Sequence, residues 1–175
     1  MIIGGLASAA LFGAIFHALF PAGTETAAGF AAWVPVAVSI VVVAAALLDL
    51  SLAAFVPRLP RHLRRGIVVA YGVPFAAVAL LVDQSFAAIV RFYAPALVLS
   101  LIAAAVQALR TKGRDWTLVT AGLAVSIAAA LLQQARVAID PDYFDHNALY
   151  HVIQGAALVL LYLGFRERRP SILQA

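Results

Sequence analysis

Apolar residues fill long stretches of this chain, and short polar or proline-containing segments divide them into six runs. Residues 2–20, 28–56, 66–82, 86–109, 116–134 and 147–165 each carry few charges. At ~1.5 Å per helical residue, about 20 apolar residues cross the ~30 Å hydrocarbon core of a bilayer, and each run is of that order. Inside a bilayer only helices and closed barrels satisfy their own backbone groups, and runs this long suit helices. The pattern predicts an all-α integral membrane protein, a six-transmembrane-helix bundle.

Composition narrows the class further. The 175 residues are 65% hydrophobic and 11% charged, with a mean hydropathy of +1.00. A soluble domain of this size lacks the interior volume to hide so much apolar surface. Residues 1–166 read as one transmembrane domain and 167–175 as a short cytoplasmic tail. The first run lacks a basic leader and exceeds the usual length of a signal-peptide core, so it reads as a span. With no cysteine, disulfides, thiolate zinc sites and a cysteine nucleophile are excluded.

A net charge of +4 would suit nucleic acid, but the placement of the cations argues for topology instead. Arg58, Arg61, Arg64 and Arg65 lie between the second and third runs, Arg110, Lys112 and Arg114 between the fourth and fifth, and Arg166, Arg168 and Arg169 after the sixth. Counting six spans puts all three groups on one side, which is then cytoplasmic, with both termini. The opposite loops hold Glu25, Asp83, Asp140, Asp142 and Asp145 against Arg136. This predicts a multi-pass protein of a bacterial inner membrane, with membrane lipid rather than nucleic acid as its partner.

Chemistry concentrates in residues 142–154, DYFDHNALYHVIQ, at the mouth of the last run. Asn147, Tyr150, His151 and Gln154 follow the 3–4 residue spacing of one helical face. Such a stripe is costly against lipid and belongs on a bundle interior or a water-filled cavity. His17, near the end of the first run, and His151 both fall about 5 Å below the outer boundary, and Arg91 about 9 Å. Gln133 and Gln134 end the fifth run there, and Glu25, Asp83, Asp145 and His146 ring the mouth. The polar layer is one-sided.

Histidine and carboxylate at a membrane boundary suit a divalent metal, most simply Zn²⁺. A catalytic zinc takes three protein ligands and a water whose pKa falls to about 7. His17, His146 and His151 are the candidate ligands. His146 and His151 diverge by about 140° on a continuous helix, so His146 can join only if it precedes the regular helix. Otherwise Asn147 shares the face of His151.

Each residue also has a structural reading. His17 alone suits a hydrogen-bonded position near the interface. Asp145 suits an N-cap, and Arg91 a snorkelling cation or a partner of Asp83. Asp49 suits an ion pair with the Arg58–Arg65 segment, and His62 a headgroup contact.

The steps Phe16-His17 in FGAIFHALF and Tyr150-His151 in NALYHVIQ resemble the zinc-binding pattern of a membrane hydrolase superfamily. Its members are the alkaline ceramidases and the progestin/adiponectin-receptor proteins. There a histidine ending an early helix and an HxxxH motif in the last of seven helices hold zinc. The sequence looks like that pattern without the first family helix. Gly13 stands where the family has serine, Asn147 where it has the first histidine of HxxxH, and no aspartate follows His17 at the expected place. The resemblance implies zinc-dependent hydrolysis of a lipid amide or ester. His17, His146 and His151 would be ligands, Asp145 or Glu25 a proton shuttle, and Arg91 would hold a lipid phosphate or an oxyanion. Asn147, Tyr150, Gln154 and Gln133 would support them.

Two other readings compete. The same His/Asp cavity suits a non-catalytic membrane protein, transporter or sensor, that binds a small molecule or a proton. Axial haem ligation by His17 and His151 ranks third.

Overall fold

A computed structural model describes residues 1–20, 22–140 and 143–167. Expectations for Asp142, Arg168, Arg169 and the tail beyond Glu167 fall outside the described residues. The elements are α1 (Ile2–Leu19), a 3₁₀ turn (Gly23–Glu25), α2 (Ala27–Phe55), α3 (Arg61–Ala77) continued by a π turn (Val78–Val82), α4 (Phe86–Thr111), α5 (Arg114–Gln134) and α6 (His146–Glu167). Among the described residues there are six helices long and apolar enough to cross a membrane, as the six runs predicted. The third begins five residues earlier than its apolar run, because arginine is a good helix former and Pro60 supplies the N-cap. Hydropathy marks the span, whereas backbone propensity marks the helix. The chain forms two compact units, Met1–Ser100 and Leu101–Ala175, with α4 running through the division.

In the first unit α1 and α2 pair through small residues. A Cβ on Gly5 would lie 2.5 Å from Val43 Cγ2, and Ser39 Oγ donates to Ser8 Oγ at 2.9 Å. Thr26 caps α2, its hydroxyl accepting from the Gly29 amide at 3.0 Å. A Cβ on Gly29 would overlap the carbonyl oxygen of Gly23, so the tight 3₁₀ entry requires glycine there.

Three helices of this unit carry an internal proline, at Pro35, Pro74 and Pro95. Counted from Ala27, Val82 and Phe86, they stand eight, eight and nine residues in, roughly 12–14 Å from the same end. Each removes an intrahelical hydrogen bond, and polar cross-links hold the same helices together. Trp33 Nε1 donates to the carbonyl of Ala79 in the π turn at 3.2 Å, and Tyr71 donates to the Phe92 carbonyl. Ser51 and Ser100 both donate to the Leu47 carbonyl, each at 2.8 Å. Phe75, fully buried, stacks on Phe92 with ring centroids 5.2 Å apart.

The second unit is dominated by the α5–α6 hairpin, whose register is constant. Gln133 meets Asn147 and Ser126 meets Gln154, both pairs of numbers summing to 280. Buried Val119 and Leu161 share that sum one heptad further on. The backbones approach closely at two glycines. A Cβ on Gly122 would lie 3.0 Å from the Ala157 carbonyl oxygen, and one on Gly164 would lie 2.8 Å from that of Asp115. Near the open end of the hairpin, Arg114 Nε lies 3.7 Å from Glu167 Oε1.

Candidate functional site

The turn between α5 and α6 builds the site. α5 ends in a Schellman motif, with Arg136 N bonded to the Gln133 carbonyl at 3.0 Å and Val137 N to that of Leu132 at 3.1 Å. Arg136 takes the left-handed position, φ 53°, that glycine usually occupies. Asp140 and Phe144 then form an isolated antiparallel bridge, which returns the chain to the start of α6.

Asp145 is the N-cap of α6. Its Oδ1 accepts from the amides of Asn147 at 3.0 Å and Ala148 at 2.8 Å, and its Oδ2 from Asn147 Nδ2 at 3.3 Å. The Ala148 amide above all holds its carboxyl below the ordinary value, against partial desolvation; Asn147 and nearby His146 add to the effect. The capping role anticipated for Asp145 is present.

Because α6 begins at His146, that residue belongs to the regular helix. It therefore points about 140° away from His151. Asn147, one turn before His151, shares the His151 face, as do Tyr150 and Gln154. Tyr150 meets His151 edge-on, with centroids 5.1 Å apart.

Two polar rungs cross the hairpin along this face. At the mouth Gln133 Nε2 donates to Asn147 Oδ1 at 3.0 Å, and Gln133 Oε1 is buried with no hydrogen-bond partner among the described residues. One heptad deeper, Gln154 Nε2 donates to Ser126 Oγ at 3.2 Å, with the two residues 6% and 4% exposed. Ser126 is not among the residues singled out from sequence, because a lone serine in an apolar run carries no signal. Its spacing is the clue: Ser126 precedes Gln133 by seven, as Asn147 precedes Gln154.

The remaining candidates lie in the first unit. His17 is exposed near the end of α1, edge-on to Phe16 at 5.5 Å. Glu25 is exposed in the 3₁₀ turn, and Arg91 is exposed on α4. Asp83 Oδ1 accepts from the Ser85 amide at 2.9 Å. Hydrogen bonds from Ser85, with a smaller contribution from Arg91, lower its carboxyl below the ordinary value. Asp49 reaches Arg64, with Oδ1 and Nε 2.7 Å apart, as anticipated.

A catalytic zinc needs three protein ligands. Among the described residues, no group of three or more His, Cys, Asp or Glu is arranged to hold a metal ion. In the second unit the capping geometry engages Asp145, and His146 and His151 face apart. That donor set does not fit a three-imidazole zinc centre.

No curated protein and no solved structure matches the chain. The profile of one family, described as a family of unknown function (DUF6962), matches residues 1–170, and the chain belongs to that family.

Proposed function

We propose that this chain is a six-span protein of a bacterial inner membrane, with both termini cytoplasmic, that binds a small hydrogen-bond donor at the mouth of the α5–α6 hairpin. The observation that carries the reading is Gln133 Oε1, a buried acceptor with no donor among the described residues. Leaving such a group open costs about 1–3 kcal/mol, and an N–H or O–H donor on a ligand removes that penalty. Asp140 and Asp145 in the same turn favour a donor that also carries positive charge, an amine or a transferred proton. The cationic loops between the second and third and the fourth and fifth spans support the orientation.

A thermal-shift panel on the detergent-purified protein tests the binding. Primary amines and polyols are expected to stabilise it, whereas tetramethylammonium, a cation with no donor hydrogen, is not. Gln133→Leu is expected to abolish the shift. A panel without any stabilising member, or an undiminished shift in Gln133→Leu, overturns the reading.

A second reading is zinc-dependent hydrolysis of a lipid amide or ester. It is favoured by the two aromatic–histidine steps, Phe16-His17 and Tyr150-His151, each with its rings in edge contact. Elemental metal content decides it. About one zinc per chain, lost in both His17→Ala and His151→Ala, supports it; a folded, zinc-repleted protein without metal rejects it.

A further inference from the structure

We propose that the corner between α2 and α3 is a docking surface for the headgroup of an anionic phospholipid. The corner is preorganised by two prolines. Val56 to Leu59 form a β-turn closed by the Leu59 amide on the Val56 carbonyl at 2.9 Å, with Pro57 and Arg58 at its centre. Pro60 then caps α3, its carbonyl accepting from the Arg64 amide at 3.0 Å. Arg58, Arg61, His62 and Arg65 all stand exposed on this frame.

Two electrostatic terms oppose this arrangement within the protein. Arg61 and Arg65 are one helical turn apart, where like charges repel. Both lie at the positive end of the α3 macrodipole, where cations are disfavoured. Among the described residues, the carboxylate within ion-pair range is Asp49, and Arg64 takes it. Four arginines against one aspartate leave three positive charges in excess.

An anion from outside the chain offsets both terms, and the surroundings identify its source. Phe55, Val56, Leu63 and Ile67 flank the arginines and are 46%, 45%, 51% and 44% exposed. Cations beside exposed apolar side chains, at the end of two membrane-length helices, match a phosphate with acyl chains beneath it. Arginine forms planar paired bonds to phosphate, which suits the arginine-only composition of the cationic patch.

Native mass spectrometry of the full chain in detergent, titrated with phosphatidylglycerol or phosphatidylcholine, tests the proposal. Phosphatidylglycerol is expected to bind preferentially. The triple variant Arg58→Gln, Arg61→Gln, Arg65→Gln is expected to weaken it about a hundredfold, on the order of fivefold per cation. The all-lysine triple variant, which keeps the charge and loses the planar fork, is expected to bind more weakly than the native chain and more tightly than the Gln triple variant, and Arg110→Gln with Lys112→Gln to leave binding unchanged. Arg58→Gln alone, outside the helix, is expected to cost on the order of fivefold should the triple variant fold poorly. Equal binding of the two lipids, or unchanged phosphatidylglycerol binding in the Gln variants, overturns the proposal. Displacement of the lipid by millimolar inorganic phosphate overturns it as well, reassigning the patch to free phosphate.

Discussion

Gln133 on α5 donates to Asn147 on α6, Nε2 to Oδ1 at 3.0 Å, and so turns its own Oε1 into a buried acceptor without a donor among the described residues. The rung links the hairpin mouth to the Asp145 cap, since Asn147 Nδ2 in turn donates to that carboxylate at 3.3 Å. A single residue change therefore opens two groups at once.

Asn147→Leu is expected to destabilise the protein by about 1–3 kcal/mol, because it strands Gln133 Nε2 beside the already open Oε1. The double variant Gln133→Leu with Asn147→Leu removes both partners and is expected to recover most of that loss. Chemical denaturation in detergent, arranged as a double-mutant cycle, measures the coupling. Additive losses would show that the rung does not act as a pair.

Asp145 makes the start of α6 sensitive to acid. Its folded-state carboxyl lies below its ordinary value of 3.8. The capping contribution is thus fully present above pH 3.8 and is lost as pH falls from there through the lower folded value. Asp145→Ala is expected to cost about 0.5–1 kcal/mol, the lower part of the cap range because solvent screens the group. The protection of the first turn of α6 against hydrogen exchange, taken relative to the intrinsic exchange rate at each pH, is expected to fall from neutral to acid pH in the native protein and to stay level in Asp145→Asn. A level profile in both would remove the carboxylate from that role.

Gly122 and Gly164 set the spacing of the hairpin, and alanine at either is expected to cost about 1–3 kcal/mol by forcing the backbones apart. Gly155, on the same pair of helices, has nothing within 4 Å of where its Cβ would stand. Gly155→Ala is therefore expected to be neutral or to stabilise by up to about 1 kcal/mol through helix propensity. Thermal unfolding of the three variants side by side checks the contrast. Equal effects at all three positions would mean that propensity, not packing, governs these sites.

Trp33 ties α2 to the π turn. Trp33→Phe keeps an aromatic ring against Phe16 but leaves the Ala79 carbonyl without its indole donor. The expected cost is about 1 kcal/mol, with faster hydrogen exchange confined to residues near 78–83. Unchanged exchange there would show that the turn is held by other contacts.

The six membrane-length helices were legible in the sequence because apolar run length is a local property. The Asp145 cap and the Asp49–Arg64 pair were legible for the same reason: each follows from short-range spacing or opposite charge across one corner. The one-face stripe of Asn147, Tyr150, His151 and Gln154 follows directly from helical periodicity. Its alternative, with His146 joining His151, required the helix to start later than it does. The starting point was decided by the bridge between Asp140 and Phe144 and by the amides that Asp145 captures.

Tertiary structure alone decided what the stripe meets. Ser126 became a polar rung because the α5–α6 register places it opposite Gln154, and that register depends on two glycines allowing backbone contact. Pairing partners 28 residues apart are set by the packing of whole helix faces, which no single window of sequence contains. The sequence by itself determined which segments are helices and which of their faces are polar. Only the packed hairpin decided which polar groups satisfy one another and which, like Gln133 Oε1, are left open.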